Sequence, residues 1–198
     1  MSRNAVIGFY GESKSGKTTL IVKIIKQLKK DGLTIATIKK TDKNIEVDRE
    51  GKDTWKHRQA GAALVVLSSA NNTDIMMGKK METKKIAGMI SECESFDVIL
   101  VEGASDPRIP KIKIGNGKDR TNTIMQYQDD VGRVVEVIKK EIDKKKRKEK
   151  IKIEVNGKEI ALSEFPADII TSSLVGMLSS LKGVDTINEA AIHLKISR

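Results

Sequence analysis

Short apolar runs alternate with stretches of helical periodicity along most of the chain. The runs are rich in Val, Ile and Leu, which is typical of strands buried inside a sheet. Apolar residues that recur every three or four positions between the runs predict helices. Strands that alternate with helices in this way predict an α/β fold, with a mostly parallel sheet flanked by helices. The predicted strands cover residues 5–10, 33–38, 63–67, 74–78, 97–103, 110–115 and 123–127. One predicted helix follows residue 16, a second extends from a cap at Asp53 through Ala60, and two more cover residues 82–96 and 130–143.

The last part of the chain has a pattern of its own. Two alternating segments joined by Asn156-Gly157 predict a β-hairpin, because this dipeptide fits a two-residue turn. Ser163 predicts the cap of a helix, and a final alternation over residues 190–196 predicts one more strand. We therefore expect an α/β domain over residues 1–143, a basic linker over 144–150 and a small β-β-α-β module over 151–198.

The helix of this small module carries many apolar residues, which we predict to line its buried side. A module of this size is marginal as an independent folding unit, because it buries too little apolar area. We therefore expect it to dock either on the first domain or on a second copy of the chain. The residues predicted to be buried on this helix are Phe165, Ile169, Ile170, Leu174, Met177, Leu178 and Leu181.

The composition is that of an ordinary globular protein, with 38% hydrophobic and 32% charged residues in a chain of 198. No stretch resembles a signal peptide or reaches the length of a membrane span. The single cysteine, Cys93, excludes an internal disulfide and a cysteine-rich metal site. We expect a cytoplasmic protein with no membrane partner, in which Cys93 is a packing residue.

The net charge of +10 is concentrated in one basic run over residues 139–152. Such a run indicates either a nucleic-acid-binding segment or a solvated helix end and linker. Aromatic side chains that stack on bases are absent from the run and make up 3% of the chain. The solvated linker is therefore the favoured interpretation, and we do not expect a nucleic-acid partner.

Residues 11–18 read Gly-Glu-Ser-Lys-Ser-Gly-Lys-Thr, which fits the phosphate-binding loop (P-loop) pattern Gly-x-x-x-x-Gly-Lys-[Ser/Thr]. The predicted strand before the loop and the helix after it are the context that this motif requires. Glycines let the loop turn its backbone N–H groups toward phosphate oxygens, and Lys17 adds a positive charge between the terminal phosphates. The Thr18 hydroxyl can ligate the accompanying Mg²⁺. The residues predicted to bind the nucleotide here are Gly11, Ser13, Ser15, Gly16, Lys17, Thr18 and Thr19.

The apolar run from Asp97 to Gly103 predicts a strand that delivers a carboxylate toward this Mg²⁺. Two acids, Asp97 and Glu102, compete for the role. Ligands of parallel sheets bind at the carboxyl ends of the strands, and Asp97 lies about 16 Å away at the other end. We therefore predict Glu102 as the acid near the metal and as the one candidate for a catalytic residue.

The polar segment after the second predicted strand lies on the same side of the sheet. Lys39 ends that strand, and the block over residues 48–62 contains four basic side chains and the only tryptophan of the chain. A polar block that follows a strand on the ligand side is typical of a binding loop. We predict that Lys39, Asp48, Arg49, Lys52 and Arg58 contribute to ligand binding.

A second polar stretch, Asn116-Gly-Lys-Asp119, follows the strand predicted over 110–115. An Asn and Asp pair at a strand end can recognise the edge of guanine, because the carboxylate accepts two hydrogen bonds from the base. The spacing differs from the usual Asn-Lys-x-Asp, and a plain turn is the favoured interpretation.

Three blocks of the sequence together resemble the molybdopterin-guanine dinucleotide biosynthesis adapter proteins, the MobB family. They are the P-loop through Thr19, the block Asp-Arg-x-Gly-Lys-Asp-x-Trp-x-x-Arg-x-Ala-Gly-Ala over residues 48–62, and Val101-Glu-Gly103 followed by Pro110-Lys-Ile. The block over 48–62 is the most particular of the three and carries the resemblance. The match covers roughly the first 140 residues. A histidine-rich stretch of the family is replaced here by Lys40, Asp42 and Lys43.

The resemblance implies a dimeric P-loop protein that binds GTP with Mg²⁺. It implies a role as an adapter for the guanylyltransferase that joins GMP to molybdopterin, with at most weak GTPase activity. Carried over, Gly16, Lys17 and Thr18 hold phosphates and Mg²⁺, with Glu102 near the metal. The block over 48–62 would face the pterin, its phosphate or the partner enzyme.

A small-molecule kinase or an autonomous GTPase is the alternative from the enzyme class. Phosphoryl transfer needs a positioned base and a cationic clamp on the γ-phosphate. Arg108 is available as a clamp, and Asp42 or Asp48 as a base. Hydrolysis of GTP by the protein alone distinguishes the enzyme from the adapter.

Overall fold

The computed structural model describes residues 4–149, 151, 153–184, 187 and 190–193. The chain divides into two compact units, which we call the first unit, Met1–Ile138, and the second unit, Lys139–Arg198. Each unit is described by itself. Across the described residues, every helix is too short or too polar to pass through a lipid bilayer.

Five of the described strands in the first unit form one sheet in the order β2-β5-β1-β6-β7, and each neighbouring pair is parallel. The predicted mostly parallel sheet is therefore confirmed. The elements of this unit are β1 (Ala5–Gly11), α1 (Lys17–Lys30), β2 (Ile35–Lys39), α2 (Asp53–Gln59), β3 (Leu64–Ser68), β4 (Thr73–Met77), α3 (Thr83–Cys93), β5 (Val98–Glu102), β6 (Lys111–Ile114) and β7 (Thr123–Gln126), and α4 (Val131–Glu149) begins in it.

The core lies along the two central strands. From Val98 to Val101, β5 is at most 1% exposed, and Ile7 and Phe9 of β1 are fully buried. A strand covered on both faces needs apolar side chains at every position, which is why β5 is an uninterrupted apolar run. Along α1, buried Leu20, Ile24 and Leu28 recur every four residues and so form one apolar face.

Parallel pairing brings three strand ends to one edge of the sheet. Glu102, the last residue of β5, is in register with Phe9 of β1 on one side and with Lys39 of β2 on the other. Two residues beyond Phe9, β1 ends at Gly11 and enters the loop that leads to α1. The geometry of a parallel sheet thus places Glu102 beside that loop.

The prediction of a buried third strand over 63–67 is wrong. β3 pairs only with β4, in a separate antiparallel hairpin, and within these two described strands only Val65 is buried. A five-residue apolar run has the same pattern in a sheet core and in a surface hairpin, so its sequence does not decide between them.

Three details of the helices also differ from the predictions. Cys93, predicted as a packing residue, is exposed at the end of α3. Asp53, predicted as a helix cap, is the first residue of α2, and the cap position is Lys52, which makes no side-chain capping bond. α4 continues to Glu149 instead of ending at Asp143, because lysine and arginine are good helix formers even without an apolar face.

In the second unit, β8 (Ile153–Val155) and β9 (Lys158–Ile160) pair as the predicted hairpin, followed by α5 (Glu164–Ser179). Asn156 and Gly157 both have positive φ, 52° and 77°, as a two-residue hairpin turn requires. Ala190 and Ile192 of the predicted last strand are not in a strand, and Leu194 and Ile196 lie outside the described residues.

The predicted buried side of α5 is wrong in part. Phe165, Ile169, Met177 and Leu181 are 74%, 49%, 66% and 55% exposed. Ala167 is buried, while Ile170, Leu174 and Leu178 are half-buried. The buried side of α5 is therefore narrower than the apolar pattern predicts.

Candidate functional site

The loop over residues 11–16 closes tightly between β1 and α1. A β-carbon on Gly11 would lie 2.2 Å from the backbone oxygen of Ile114, so only glycine fits beside β6. Gly16 caps α1 in the left-handed conformation, with φ of 82°, which glycine adopts without strain. Both glycines therefore have the backbone role that the motif predicts.

Lys17 folds back over this loop. Its Nζ donates to the backbone oxygen of Gly11 at 3.0 Å and to Ser15 Oγ at 3.1 Å, and it also contacts the backbone oxygen of Glu12. The loop thus holds a positive charge within a ring of its own oxygen atoms. Oxygens of a phosphate chain are acceptors of the same kind, with the advantage of negative charge.

Glu102 reaches the start of α1. Thr18 Oγ1 donates to Glu102 Oε1 at 2.8 Å, and Lys39 Nζ lies 3.6 Å from the same oxygen. The Glu102 side chain is 16% exposed. The structure thus brings together three residues that were predicted from different parts of the chain.

Asp97, the competing acid, has a different task at the opposite end of β5. Its Oδ2 accepts from the backbone N–H of Thr34 at 2.8 Å and from Thr34 Oγ1 at 3.0 Å. These bonds tie β5 to the segment that precedes β2. Asp97 is therefore a structural residue, as its position at the amino end of the strand predicts.

Within the block over 48–62, Asp48 organises its neighbours. Its side chain is 7% exposed, and Oδ1 accepts from Thr54 Oγ1 at 2.9 Å. Arg58 places Nη1 3.8 Å from Asp48 Oδ2 and Nη2 3.6 Å from Glu46 Oε1. Asp48 Oδ2 is buried without a hydrogen bond, and the guanidinium of Arg58 places a positive charge beside it.

A cavity of about 440 Å³ opens beside this block. Its walls come from the end of α2, the start of β3 and the end of β4, with cationic Arg58 and Lys79 among the lining residues. Arg49 and Lys52 are exposed on the surface of the same block. Of the predicted binding residues of this block, Arg58 lines the cavity, Arg49 and Lys52 lie on the surface outside it, and the side chain of Asp48 is buried beside Arg58.

The residues that phosphoryl transfer would need are engaged elsewhere. Arg108, the available clamp, forms a double hydrogen bond with Asp106, with Nη2 and Nε at 2.7 and 2.9 Å. This guanidinium lowers the pKa of Asp106 to about 2. Asp42, an available base, is exposed and lies 3.6 Å from Lys80.

Comparison with known proteins identifies the family. The sequence model of the MobB family, described as molybdopterin guanine dinucleotide synthesis protein B, matches residues 6–140. The chain belongs to the MobB family. Its role is thus that of an adapter in molybdopterin-guanine dinucleotide biosynthesis.

Two relatives show how far the likeness to MobB proteins extends. A Methanocaldococcus jannaschii protein, provisionally named a molybdopterin-guanine dinucleotide biosynthesis adapter protein, is 29% identical over 98% of both chains. The Haemophilus influenzae adapter protein is 37% identical over 54% of this chain and 61% of its own. The archaeal match thus includes the second unit, while the bacterial match spans about half of the chain.

The solved structure of Bacillus subtilis MobB has the same fold. It superimposes with a TM-score of 0.55 at 19% identity, over 69% of this chain and 97% of its own. The first unit therefore has the P-loop NTPase-like α/β fold of MobB structures, as the sequence predicted.

Beyond the predicted residues, two basic side chains bridge the loops on either side of β6, the buried Lys111 and the exposed Arg120. Lys111 is 0% exposed and donates to the backbone oxygens of Ile109 and Thr121, both at 2.7 Å. Burial lowers the pKa of Lys111. The guanidinium of Arg120 lies 5.0 Å from the ring centre of Tyr10 and donates to the Ala104 oxygen at 2.7 Å. Both side chains join the loop before β6 to the loop after it.

The only sequence signal for the two buried lysines of β6 is the alternation of lysine with isoleucine in this strand. Lys113, the second lysine, is 11% exposed and donates to Asp119 Oδ1 at 2.7 Å. Asp119 is therefore held by β6, the strand that precedes its loop, and residues 116–119 form neither a strand nor a helix.

Proposed function

We propose that this adapter binds GTP with Mg²⁺ at the loop over 11–18 and assists the guanylyltransferase that joins GMP to molybdopterin. The observation that carries the proposal is the 2.8 Å hydrogen bond from Thr18 to Glu102, directly beside Lys17. A polyphosphate with its metal needs a cationic group and hard oxygen ligands side by side. The chain provides both within two consecutive residues of α1 and the last residue of β5.

The donor set of this site fits Mg²⁺. Thr18 and Glu102 each offer oxygen, the ligand that Mg²⁺ prefers, and adjacent oxygens of a magnesium octahedron are about 2.9 Å apart at a bond length of 2.0–2.1 Å. The observed separation of 2.8 Å agrees with that spacing. Two protein oxygens leave the remaining positions to phosphate and water, which is usual for Mg²⁺ in nucleotide sites.

Both lysines of the site must exchange partners when the nucleotide binds. Lys17 leaves the loop oxygens of Gly11 and Glu12 for the phosphate chain, and Lys39 gives up part of its attraction to Glu102 to the metal. The Lys39 side chain is 64% exposed, so its ion pair costs little to break. Bound Mg²⁺ supplies charge neutralisation, while the protein residues orient the phosphates.

The contacts of the remaining polar residues favour binding of the nucleotide without its hydrolysis. Arg108 donates two hydrogen bonds to Asp106, and Asp48, the buried candidate base, accepts from Thr54 and lies beside Arg58. Phosphoryl transfer without a clamp and a positioned base is slow. We therefore expect at most a weak GTPase, with the chemistry carried out by the partner enzyme.

The cavity beside Arg58 supports the assignment of the pterin side of the adapter. Its cationic lining suits the phosphate of molybdopterin, and its size suits a fused-ring ligand. We propose that this cavity and the exposed Arg49 and Lys52 face molybdopterin or the partner enzyme.

We further propose that the protein acts as a homodimer in the cytoplasm. Exposed Leu64, Val66 and Ile75 on the hairpin of β3 and β4 support self-association.

Single-turnover kinetics and equilibrium binding test this proposal together. We expect GTP to bind only in the presence of Mg²⁺, and we expect less than one turnover per minute from the protein alone, roughly the scale of intrinsic P-loop hydrolysis. Addition of the guanylyltransferase should increase GMP transfer to molybdopterin without increasing phosphate release by the adapter. Rapid GTP hydrolysis by the isolated protein would instead support the kinase or GTPase alternative.

A further inference from the structure

The loop that follows β6 begins directly beside the P-loop. We call residues 115–120 the β6 loop. A β-carbon on Gly115 would lie 4.0 Å from Ser15 Cβ, and one on Gly117 would lie 3.8 Å from Glu12 Cγ. The β6 loop therefore runs alongside residues 12–15 of the P-loop.

The two sides of the P-loop differ in what they offer to a nucleotide. β1, which leads into the P-loop, lies between β5 and β6 in the sheet. Glu102 and Lys39 come from β5 and β2, on one side of β1. With Mg²⁺ and the terminal phosphates bound on that side, as proposed above, the β6 loop on the other side is available to the nucleoside.

Both ends of the β6 loop are fixed by contacts to neighbouring strands. At one end, Gln126 Nε2 donates to the backbone oxygen of Gly115 at 3.3 Å. At the other end, the backbone N–H of Arg120 donates to the Tyr10 hydroxyl at 3.1 Å, and the Arg120 guanidinium lies 5.0 Å from the centre of the same ring. Tyr10 directly precedes Gly11. The loop is therefore anchored to the strand that carries the P-loop.

Two exposed polar side chains between these anchors offer complementary groups. Asp119, at 77% exposure, accepts at Oδ1 from Lys113 Nζ at 2.7 Å, and Lys113 itself is 11% exposed. A carboxylate can accept on both of its oxygens, so Asp119 can accept further hydrogen bonds while Lys113 holds it. Asn116 is exposed, and its amide adds a donor. The β6 loop thus presents an acceptor-only group and a donor three residues apart.

Among the nucleobases, guanine matches this pair of groups. It has adjacent donors at N1–H and the 2-amino group, and it has acceptors at O6 and N7. Adenine instead places the acceptor N1 beside its amino group, and a carboxylate would repel that acceptor. On the basis of the proposed GTP binding, we propose that the β6 loop recognises guanine, with Asp119 accepting from N1–H and the 2-amino group and Asn116 donating to O6 or N7.

The turn predicted over residues 116–119 is compatible with this role, because a turn presents both side chains to solvent. The contact with Lys113 orients the carboxylate before the ligand arrives, so little side-chain entropy is lost on binding. The exposure of Asp119 limits the selectivity, since water can replace part of each lost bond. The preference for guanine should therefore stay below the 10⁴- to 10⁵-fold of fully enclosed polar sites.

Equilibrium competition with nucleotide analogues tests the recognition in the full-length protein with Mg²⁺. The competitors are ITP, which lacks the 2-amino group of GTP, XTP, which has a 2-oxo group in its place, and ATP. We expect ITP to bind about 10- to 150-fold more weakly than GTP, because it loses one hydrogen bond to a charged group. ATP should bind more weakly than ITP, because it also lacks the N1–H donor.

Asp119→Asn gives a signature that loss of structure cannot produce. Its amide can donate to the 2-oxo group of xanthine, so we expect XTP to bind this variant more tightly than GTP does. Asp143→Asn, at an exposed position of α4, is the control and should keep the wild-type order of affinities. In a variant that unfolds thermally like the wild type, loss of GTP binding without a gain for XTP would overturn the contact. Should the variant fail to fold, the wild-type ratio of GTP to ITP affinity decides.

Inorganic tripolyphosphate, which has no base, separates guanine recognition from the P-loop. If tripolyphosphate competes with GTP while GTP, ITP and ATP bind equally, the P-loop assignment stands and guanine recognition is overturned. If neither tripolyphosphate nor any of the nucleotides binds, both are overturned. The expected result is competition by tripolyphosphate together with the affinity order GTP, ITP, ATP.

Discussion

The two units differ in how far they bury their apolar residues. In the first unit, the apolar run of β5 is buried at every position from Val98 to Val101. In the second, the apolar residues of α5 are divided between a half-buried face and a face open to solvent. Apolar residues that follow one another along the chain are therefore buried in the core of the first unit but partly exposed on the surface of the second.

The cause of this difference is the amount of structure available to cover each element. A five-stranded sheet with helices can enclose its central strands completely. The described part of the second unit offers one hairpin and the end of α4, which present too little area to cover a helix that is apolar on two sides. An apolar pattern thus predicts that a face will be covered, but the size of the unit decides whether its own chain covers it.

A matched pair of leucine substitutions tests this contrast with the largest expected effect. Leu100→Ala should cost about 2–5 kcal/mol of unfolding free energy, because the side chain is 1% exposed and its loss leaves a cavity. Leu181→Ala, at 55% exposure, should cost less than about 0.5 kcal/mol in the monomer. Urea unfolding followed by Trp55 fluorescence measures the first unit, and amide hydrogen exchange over residues 164–179 measures the second. Similar losses for both variants would contradict the contrast.

Polar residues of the first unit are expected to act on ligands more than on stability. Lys17→Ala should weaken binding of GTP by roughly 30- to 150-fold, since it removes charge-assisted hydrogen bonds worth about 2–3 kcal/mol. The fold should be unaffected, because the hydrogen bonds of Lys17 Nζ in the described part of the chain stay within its own loop. The exposed Lys158 of the second unit provides the control as Lys158→Ala. Isothermal titration and thermal unfolding of both variants check this, and unchanged GTP affinity in Lys17→Ala would remove the P-loop from the proposal.

Much of the first unit could be predicted from the sequence because its signals are local. The P-loop, the strand ending at Glu102 and the helix after Gly16 follow from residue order, and parallel pairing alone brings Glu102 to Thr18. The position of β3 could not be predicted in this way, because burial of a short apolar run depends on what packs against it. The division of α5 into a half-buried face and an exposed face could not be predicted for the same reason. The periodicity of a helix carries no information on the area available to cover it.

The bonds of Lys111 show a further limit of sequence reasoning. The residues around Lys111 predict a strand. The local sequence does not predict that Lys111 Nζ donates hydrogen bonds to the backbone oxygens of Ile109 and Thr121, both at 2.7 Å. Such acceptors belong to loops whose course is set by the rest of the fold. Buried polar side chains are therefore found from the structure, whereas the buried apolar ones of β5 are found from the sequence.

Substitution of the acid at the sheet edge should have a smaller effect than Lys17→Ala. Glu102→Gln keeps the shape of the side chain but removes its charge, so the Mg²⁺ requirement of GTP binding should rise by about tenfold, the lower end of the range for residues that support a metal ligand. GTP binding without Mg²⁺ should change little. Titration with Mg²⁺ at fixed GTP measures the shift, and Glu154→Gln on the hairpin of the second unit is the control. An unchanged Mg²⁺ requirement would show that Glu102 does not contribute to binding of the metal.

The smallest expected effect concerns the Asp106–Arg108 pair and its dependence on pH. The hydrogen bonds from Arg108 hold the pKa of Asp106 at about 2, below its ordinary value of 3.8. A lowered pKa stabilises the folded state above the unfolded pKa, so the contribution is constant above about pH 4 and declines as pH falls through about 2. Because Arg108 is 60% exposed, the contribution should stay below about 1 kcal/mol. The difference in unfolding free energy between wild type and Asp106→Asn, measured from pH 6 to pH 2, should therefore be small and flat before it shrinks at the acid end. A difference that grows as pH falls would contradict the sign of the pKa shift, and Asp74→Asn on the exposed hairpin serves as the control.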